Sequence, residues 1–359
     1  MAKLKVGILG ATGMVGQRFI TLLENHPWFE VACMAASPSS AGKTYERAVQ
    51  DRWKMQTKIP YNAAKLVVKK VEEDIDEICK EANFVFSALD MDKRKIQEIE
   101  EAYAKRGVPV VSNNSAHRWT EDVPMIIPEI NPEHIELIDV QWKNRRWKKG
   151  FITVKPNCSI QSYIPIVKAL EKYNPKKVLV TTLQAVSGAG KTLAAWPEIN
   201  ESVIPFINNE EEKSEQEPLK ILGKISNGKL KLAKTPEISA TCIRVPVEDG
   251  HMASVEIQLS KQITEKQFID AVTHYKNPIA KLGLPSSPKQ FIKYFNDEDR
   301  PQTKLDRDFE HGMGITFGRL RKDNVLGWKF VALSHNTIRG AAGGAILLAE
   351  LLKAKGYLN

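Results

Sequence analysis

Residues Leu4–Leu9, LKVGIL, form an apolar run that ends in Gly10-Ala11-Thr12-Gly13-Met14-Val15-Gly16, and a helical pattern carried by Met14, Val15, Phe19, Leu22 and Leu23 starts inside that turn. Glycine permits tight bends and close backbone approaches that other residues block. A strand, a glycine turn and a helix start together present free N–H groups and a partial positive charge, which suit a pyrophosphate. The spacing alone also fits a simple tight turn. The next 140 or so residues give it weight: apolar runs recur at EVACMAA, KLVVKKV, NFVFSAL, GVPVVSN and FITVK, with helical stretches such as DIDEICKEA and IQEIEEAYAKRG between several of them. That alternation predicts an α/β fold, a largely parallel sheet covered by helices, with an N-terminal Rossmann-type dinucleotide-binding domain.

The pattern changes after Asn157. One helical stretch, SIQSYIPIVKALEKY, precedes longer β-rich segments, KVLVTTLQAVSG, ISATCIRVPV and ASVEIQLS, which read as a second domain of α+β type. The polar segment from Asn208 to Lys234 reads as a surface helix and loop, and the stretch from Thr337 to Gly356 returns to helical periodicity. The expected division is residues 1–156 plus 337–359 for the cofactor domain and 157–336 for the second. The 359 residues are ample for two domains.

The end of the second strand specifies which dinucleotide is expected. An NAD-selective domain usually carries a carboxylate there for the ribose 2′-hydroxyl. This chain has Ala35-Ala36-Ser37-Pro38-Ser39-Ser40, with Lys43 just beyond. Hydroxyls and an ammonium suit a 2′-phosphate, and no carboxylate repels it, so NADP is expected.

Several classes are disfavoured. The net charge of +9, from 52 Lys and Arg against 43 Asp and Glu, is a small excess that must be located before it implies a polyanionic partner. Part of it lies in DVQWKNRRWKKG, where basic residues surround Trp142 and Trp147. Such interleaving can bind single-stranded nucleic acid, but a cationic helix end explains the same letters, and no nucleic-acid partner is expected. Cys33, Cys79, Cys158 and Cys242 form no C-x-x-C pair, so neither a disulfide framework nor a metal site is signalled. The N-terminus runs directly into the first strand, and the longest apolar run, Ala341 to Leu352, is too short to span a bilayer. A soluble, cytoplasmic protein with no membrane partner is expected.

Cys33 and Cys242 lie in apolar strand runs and Cys79 in a helical one, where a cysteine is ordinarily a small hydrophobe. Cys158 differs because the run FITVK stops at Pro156-Asn157 and a helical pattern begins at once with Ile160, Ile164, Val167 and Leu170. A sulfur at a helix start is expected to ionise more readily. It also falls at the junction of the two domains, where a hydride carrier and a substrate would meet. Nucleophile plus hydride carrier implies a thioester route between an aldehyde and an activated acid. Of the seven histidines, His251 is the candidate base, following a glycine turn seven residues after Arg244.

Taken together, GATGMVG at Gly10, SNNSAHR at Ser112, PNCS at Pro156, QAVSGAG at Gln184, Arg244 to His251 and HNTIRGAAGG at His335 resemble the aspartate-semialdehyde dehydrogenases of the branch common in archaea and fungi. The motifs run in order over essentially the whole chain. The resemblance implies a Rossmann domain joined to an α+β dehydrogenase and dimerisation domain. It also implies NADP as cofactor and L-aspartyl 4-phosphate as substrate, with aspartate semialdehyde and phosphate as products. This is a step in the biosynthesis of lysine, threonine, methionine and diaminopimelate. It makes Cys158 the nucleophile, His251 the acid and base, and Arg244 the ligand of the substrate carboxylate. Gln184 and Asn157 become substrate-positioning residues and Arg118 a phosphate ligand. Glu217 and Lys220 match a pair that contacts the substrate ammonium and phosphate. For the cofactor, it points to Gly10, Thr12, Gly13, Met14, Val15, Ser37, Ser40, Lys43, Ser187, Gly188 and Asn336. A homodimer or homotetramer is implied.

The nearest rival is a malonyl-CoA reductase, which shares scaffold and chemistry; Asn157 before the cysteine favours the aspartyl enzyme. N-acetylglutamyl-phosphate reductase is a cousin with less similar motifs. A non-catalytic nucleotide- or nucleic-acid-binding protein would leave Cys158, Arg244 and His251 without a task.

Overall fold

A computed structural model describes residues 2–359. Six short strands, β1 (Leu4–Leu9), β2 (Phe29–Ala36), β3 (Val68–Lys70), β4 (Phe84–Ser87), β5 (Val110–Ser112) and β6 (Ile152–Val154), form one parallel sheet in the order β3-β2-β1-β4-β5-β6. The strands are buried on both faces, as parallel strands covered by helices must be. Because they are parallel, their C-terminal ends share one edge, and the order reverses at β1. The turn after β1 therefore opens into the crevice where such sheets bind ligands. Phe19, from the helix Met14–Leu23, stacks on Phe86 of β4 at 4.4 Å between ring centroids, which fixes that helix on the sheet.

The last helix, Gly343–Ala354, is apolar nearly all round and packs through Ile346 and Leu347 into the same core as Val6 and Ile8 of β1. The chain thus returns to the first sheet at its end.

Between these parts a second sheet is built from β7 (Pro175–Gln184), β10 (Glu237–Arg244), β11 (His251–Leu259), β12 (Ile292–Phe295), β13 (Ile315–Asp323) and β14 (Gly327–Ser334), in the order β10-β7-β11-β14-β13-β12. β10 and β7 pair in parallel, whereas β7, β11, β14 and β13 are successively antiparallel. A small hairpin, β8 (Lys224–Ser226) and β9 (Lys229–Lys231), stands apart. One face of the mixed sheet packs inward through Val178, Val180, Val255 and Ile257, while Leu179 and alternate residues of β10 face outward. Among the described residues no helix is long and apolar enough to cross a membrane.

Two local expectations change, and a third reading, the cationic helix end, stands as read. The segment following Asn208 is more than a surface element: the helix Glu210–Ile221 buries Ser214, Glu217, Lys220 and Ile221. Its polar residues point inward because their partners lie inside. No α-helix begins at Cys158; a single 3-10 turn, Ser159–Gln161, intervenes before the helix Ile164–Ala169. Finally, the Trp142 to Lys149 stretch ends the helix Leu137–Arg145. Trp142 donates to the Gly150 carbonyl at 2.9 Å and lies against Tyr357, and Arg145 forks onto Asp122 and reaches Glu101. Trp142 and Arg145 are thus occupied by internal contacts.

Candidate active site

The turn after β1 meets its geometric demands with glycine. Gly10 has φ of +80°, and an added Cβ there would lie 2.3 Å from the Ala88 carbonyl oxygen; at Gly16 it would lie 2.3 Å from the Gly10 oxygen. Gly13 is different. Its nearest neighbour would be 3.5 Å away, it caps the helix with no side chain bound to the first N–H groups, and the space in front of it is open. This is the cradle a pyrophosphate fits. Thr12 and Met14 flank Gly13, and Val15 lines a cavity shared with Cys158. At the end of β2, Ser37 and Lys43 are exposed, with the Lys43 ammonium folded onto the Ser39 carbonyl at 2.9 Å. Ser40 is buried and its hydroxyl accepts from Arg52 at 3.1 Å, so it supports the loop from within.

From the C-terminal edge of the first sheet the chain runs Lys155-Pro156-Asn157-Cys158 into this cavity, about 440 Å³ between the two sheets. Cys158, Arg118, Asn157, Ser187, Gly188, Asn336 and Gly340 reach it. A Cβ on Gly340 would stand 2.7 Å from that of Cys158, so only glycine lets the turn Ile338–Ala342 close over the cysteine. The thiol is not made acidic by a helix start. Burial and the neighbouring Glu210 carboxylate push the Cys158 thiol up to about 11, against the opposing charges of Lys155, Arg118 and Arg244.

His251 opens β11 and is fully buried. Its Nδ1 accepts the backbone N–H of Ala185 at 3.1 Å, which leaves the proton on Nε2. Among the described residues Nε2 has no partner, and it lies where a Gly188 Cβ would be 3.1 Å away. Burial, then the nearby Arg244 charge, lowers its basicity to about 3, so the ring is neutral and lies behind Gly188, which lines the cavity although His251 itself does not. Arg244, also against Gly188, donates to the Ala185 carbonyl at 2.6 Å. Asn336 joins the Gly188 loop to the start of β11: its amide donates to the Ser187 hydroxyl and its oxygen accepts the Gly250 N–H, both at 2.8 Å.

The charged helix Glu210–Ile221 separates two acid–lysine pairs of the same spacing. Glu217 lies beneath the cavity, where it accepts from Arg118 at 2.8 Å and from the Asn157 N–H at 2.7 Å. The Lys220 ammonium is spent on the carbonyls of Arg118, Val123 and Thr120. The pair that faces the cavity is Glu210 and Lys213, 2.9 Å apart, with Glu210 also accepting from Asn157 at 3.0 Å and Gln184 at 3.3 Å. Burial would raise the Glu210 carboxyl, but Lys213, Asn157 and Gln184 hold it below its ordinary value. Reading the sequence pointed to Glu217 and Lys220 and missed these two. The signal was present in the EEEK letters, seven residues upstream, without anything to rank the two pairs by depth.

Comparison with known proteins now decides the family. Models of the semialdehyde dehydrogenase NAD binding domain and dimerisation domain match residues 5–138 and 165–339. An aspartate-semialdehyde dehydrogenase of Archaeoglobus fulgidus is 44% identical over 97% of both chains, and one of Candida albicans is 40% identical over the full length of both. The chain belongs to the aspartate-semialdehyde dehydrogenases. The fold agrees: a crystal structure of the Candida albicans aspartate-semialdehyde dehydrogenase with NADP superposes with a TM-score of 0.88 at 38% identity, covering 99% of this chain and 100% of that one. Aspartate-semialdehyde dehydrogenase II of Vibrio cholerae follows at 0.73 and 26% identity, covering 98% and 99%. As a member of this family, the chain has a dinucleotide-binding domain and a dimerisation domain.

Proposed function

We propose that this chain is an NADP-dependent, phosphorylating aspartate-semialdehyde dehydrogenase that converts L-aspartyl 4-phosphate to L-aspartate 4-semialdehyde. The observation that carries the reading is a single cavity holding a nucleophile, Cys158, beside a carboxylate and an ammonium, Glu210 and Lys213, with the open Gly13 cradle on the same sheet edge. The cofactor fits because the cradle is free and the Ser37 to Lys43 loop brings hydroxyls and an ammonium but no carboxylate. NADPH, when bound, supplies the hydride.

The chain's own residues do the rest. The Cys158 thiolate attacks the acyl carbon, the bond to the phosphate oxygen breaks, and phosphate leaves a thioacyl enzyme. Arg118, fixed on Glu217, and Lys213 suit the phosphate. Glu210 suits the substrate ammonium, and the Arg244 fork suits its carboxylate. Gln184 and Asn157 hold Glu210 in place. His251, neutral with its proton on Nε2, donates a hydrogen bond to the oxygen on which charge develops and keeps that proton. Residues 1–156 with 337–359 make the cofactor domain in this reading, and 157–336 the catalytic domain. The outward face around Leu179 and Thr241 is the surface on which a homodimer, or a tetramer of such dimers, would form.

The reading is tested by phosphate-dependent reduction of NADP with aspartate semialdehyde, against malonate semialdehyde plus CoA. Turnover with the first pair is expected. Turnover with the second alone would assign the chain to the acyl-CoA chemistry instead, and a Cys158→Ala chain that still turns over would remove the covalent route.

A further inference from the structure

A lysine beneath Cys158 has no task in that chemistry. Lys155 follows β6 directly, three residues before the cysteine, and is 2% exposed. Its nitrogen donates to the Gly340 carbonyl at 2.5 Å and to the Pro156 carbonyl at 3.2 Å. Its stem runs against Gly344, where an added Cβ would lie 2.6 Å from the lysine Cε. Gly340 is itself pressed against Cys158. Lysine, glycine turn and cysteine therefore form one continuous stack between the first sheet and the last helix.

The anions nearby are already engaged. Glu129 pairs with Arg339 at 2.7 Å beside a small cavity that Lys155 also lines, and Glu217 pairs with Arg118. A buried cation without its own carboxylate is expensive, and an ammonium in that position loses its proton readily. Burial brings Lys155 down to about 7, and the largest influence restoring its charge is an ionised Cys158; Arg118 and Arg339 oppose the charge and Glu217 favours it. Seen from the sulfur, burial and Glu210 oppose the thiolate, while Lys155, Arg118 and Arg244, in that order, favour it.

We propose that Lys155 is a positioning residue for the reaction: its cation stabilises the Cys158 thiolate from below, and its two carbonyl contacts hold the Gly340 turn against that side chain. A neutral amine can donate to both carbonyls and keep one lone pair, so the two contacts survive whether or not the third proton is present. Loss of the thiol proton leaves a thiolate beside an ammonium, with the proton on Lys155 or in solvent and no other reactant required. The two groups titrate as a pair. The proposal rests on Cys158 being the nucleophile, but its test reads the thiol directly, without substrate, so failure of one is distinguishable from failure of the other.

The test is the pH dependence of Cys158 alkylation by iodoacetamide in the full chain, followed by peptide mapping because Cys33, Cys79 and Cys242 are also free thiols. Lys155→Met is expected to move the alkylation midpoint up by about one unit, a roughly tenfold lower rate near neutral pH. Lys155→Arg, whose charge is permanent, is expected to leave the midpoint at or below that of the wild type. A purely structural lysine predicts equal midpoints, or shifts of the same sign in both variants, and either result overturns the proposal. Lys155→Met is the deciding variant; where it does not retain cooperative unfolding, Lys155→Gln, which also removes the charge, is read in its place against the same two outcomes.

Discussion

Glu217 and Arg118 form a buried ion pair, 2.8 Å from carboxylate to guanidinium, and the second oxygen of the same carboxylate accepts the backbone N–H of Asn157, the residue before the cysteine. One carboxylate thus holds both the arginine that enters the cavity and the chain that carries the nucleophile.

Removing that carboxylate should unfold more than it unbinds. Glu217→Ala leaves a guanidinium buried without its partner, at a cost of about 3–5 kcal/mol by analogy with other broken buried pairs. Glu210→Gln, at the cavity wall, should change unfolding little but raise the KM for aspartate semialdehyde by roughly tenfold or more, since a charge-assisted contact is lost. Denaturant unfolding and steady-state kinetics on both variants separate the roles. If Glu217→Ala keeps wild-type stability while Glu210→Gln keeps wild-type KM, the assignment of depth is reversed.

His251 gives a stability that depends on pH with a definite sign. The unfolded chain binds a proton at this ring below about 6.5, whereas the folded chain refuses it until about 3, so the unfolded state is favoured as pH falls through that window. His335, lowered to about 4 by burial, adds in the same direction. Each contributes a slope of up to about 1.4 kcal/mol per pH unit between the two values. His251→Asn should flatten the decline of unfolding free energy between about pH 6 and 4 and, having lost the Nε2 hydrogen-bond donor, should lower kcat by roughly a hundredfold or more. An unchanged slope would mean that the ring is already protonated in the native state.

Cofactor preference should be reversible at the end of β2. Lys43 is exposed, its loop has no carboxylate, and Ser40 is committed to Arg52. Replacing Lys43 by Glu puts a negative charge where a 2′-phosphate would sit and is expected to cut kcat/KM for NADP by roughly tenfold or more, with NAD affected less. Side-by-side kinetics with the two cofactors check this, and an equal loss with both would place the 2′-phosphate elsewhere.

The dinucleotide-binding domain was readable in the sequence because its signals are local. A glycine turn between strand and helix, and a missing acid one strand later, are each contained in a few consecutive residues. The charged helix shows where such reading stops. Glu210 with Lys213 and Glu217 with Lys220 repeat the same spacing seven residues apart, which is nearly two helical turns, so both pairs point to the same side and differ only in how far along the axis they lie. Depth comes from what packs on the helix, and those partners, Arg118 and Asn157, are 99 and 60 residues away from Glu217. Lys155 was hidden for a related reason: no local pattern marks the last residue of FITVK as buried, and only the return of the chain at Gly340 and Gly344 buries it. The thiol failed in the opposite sense, because a helix start was inferred where one short turn intervenes, and burial outweighs the dipole there.

The contact between Gly340 and Cys158 makes the closing turn a sensitive point. A Cβ added at Gly340 would be 2.7 Å from the Cys158 Cβ and 3.2 Å from its Cα, with the His335 carbonyl at 3.4 Å on another side. Neither neighbour is the end of a flexible side chain, so the turn or the cysteine must move by several tenths of an ångström. Gly340→Ala is therefore expected to lower kcat by roughly tenfold to a hundredfold through misplacement of the nucleophile, while the KM for NADP, set at the Gly13 cradle, changes less. Gly13→Ala should do the reverse: its nearest neighbour is at an ordinary 3.5 Å, so the fold tolerates the methyl group, which instead occupies the space a pyrophosphate needs and raises the KM for NADP. Measuring kcat and cofactor KM for both variants gives a crossed pattern if the turn and the cradle act separately. A Gly340→Ala chain with wild-type kcat would show that the turn does not position Cys158.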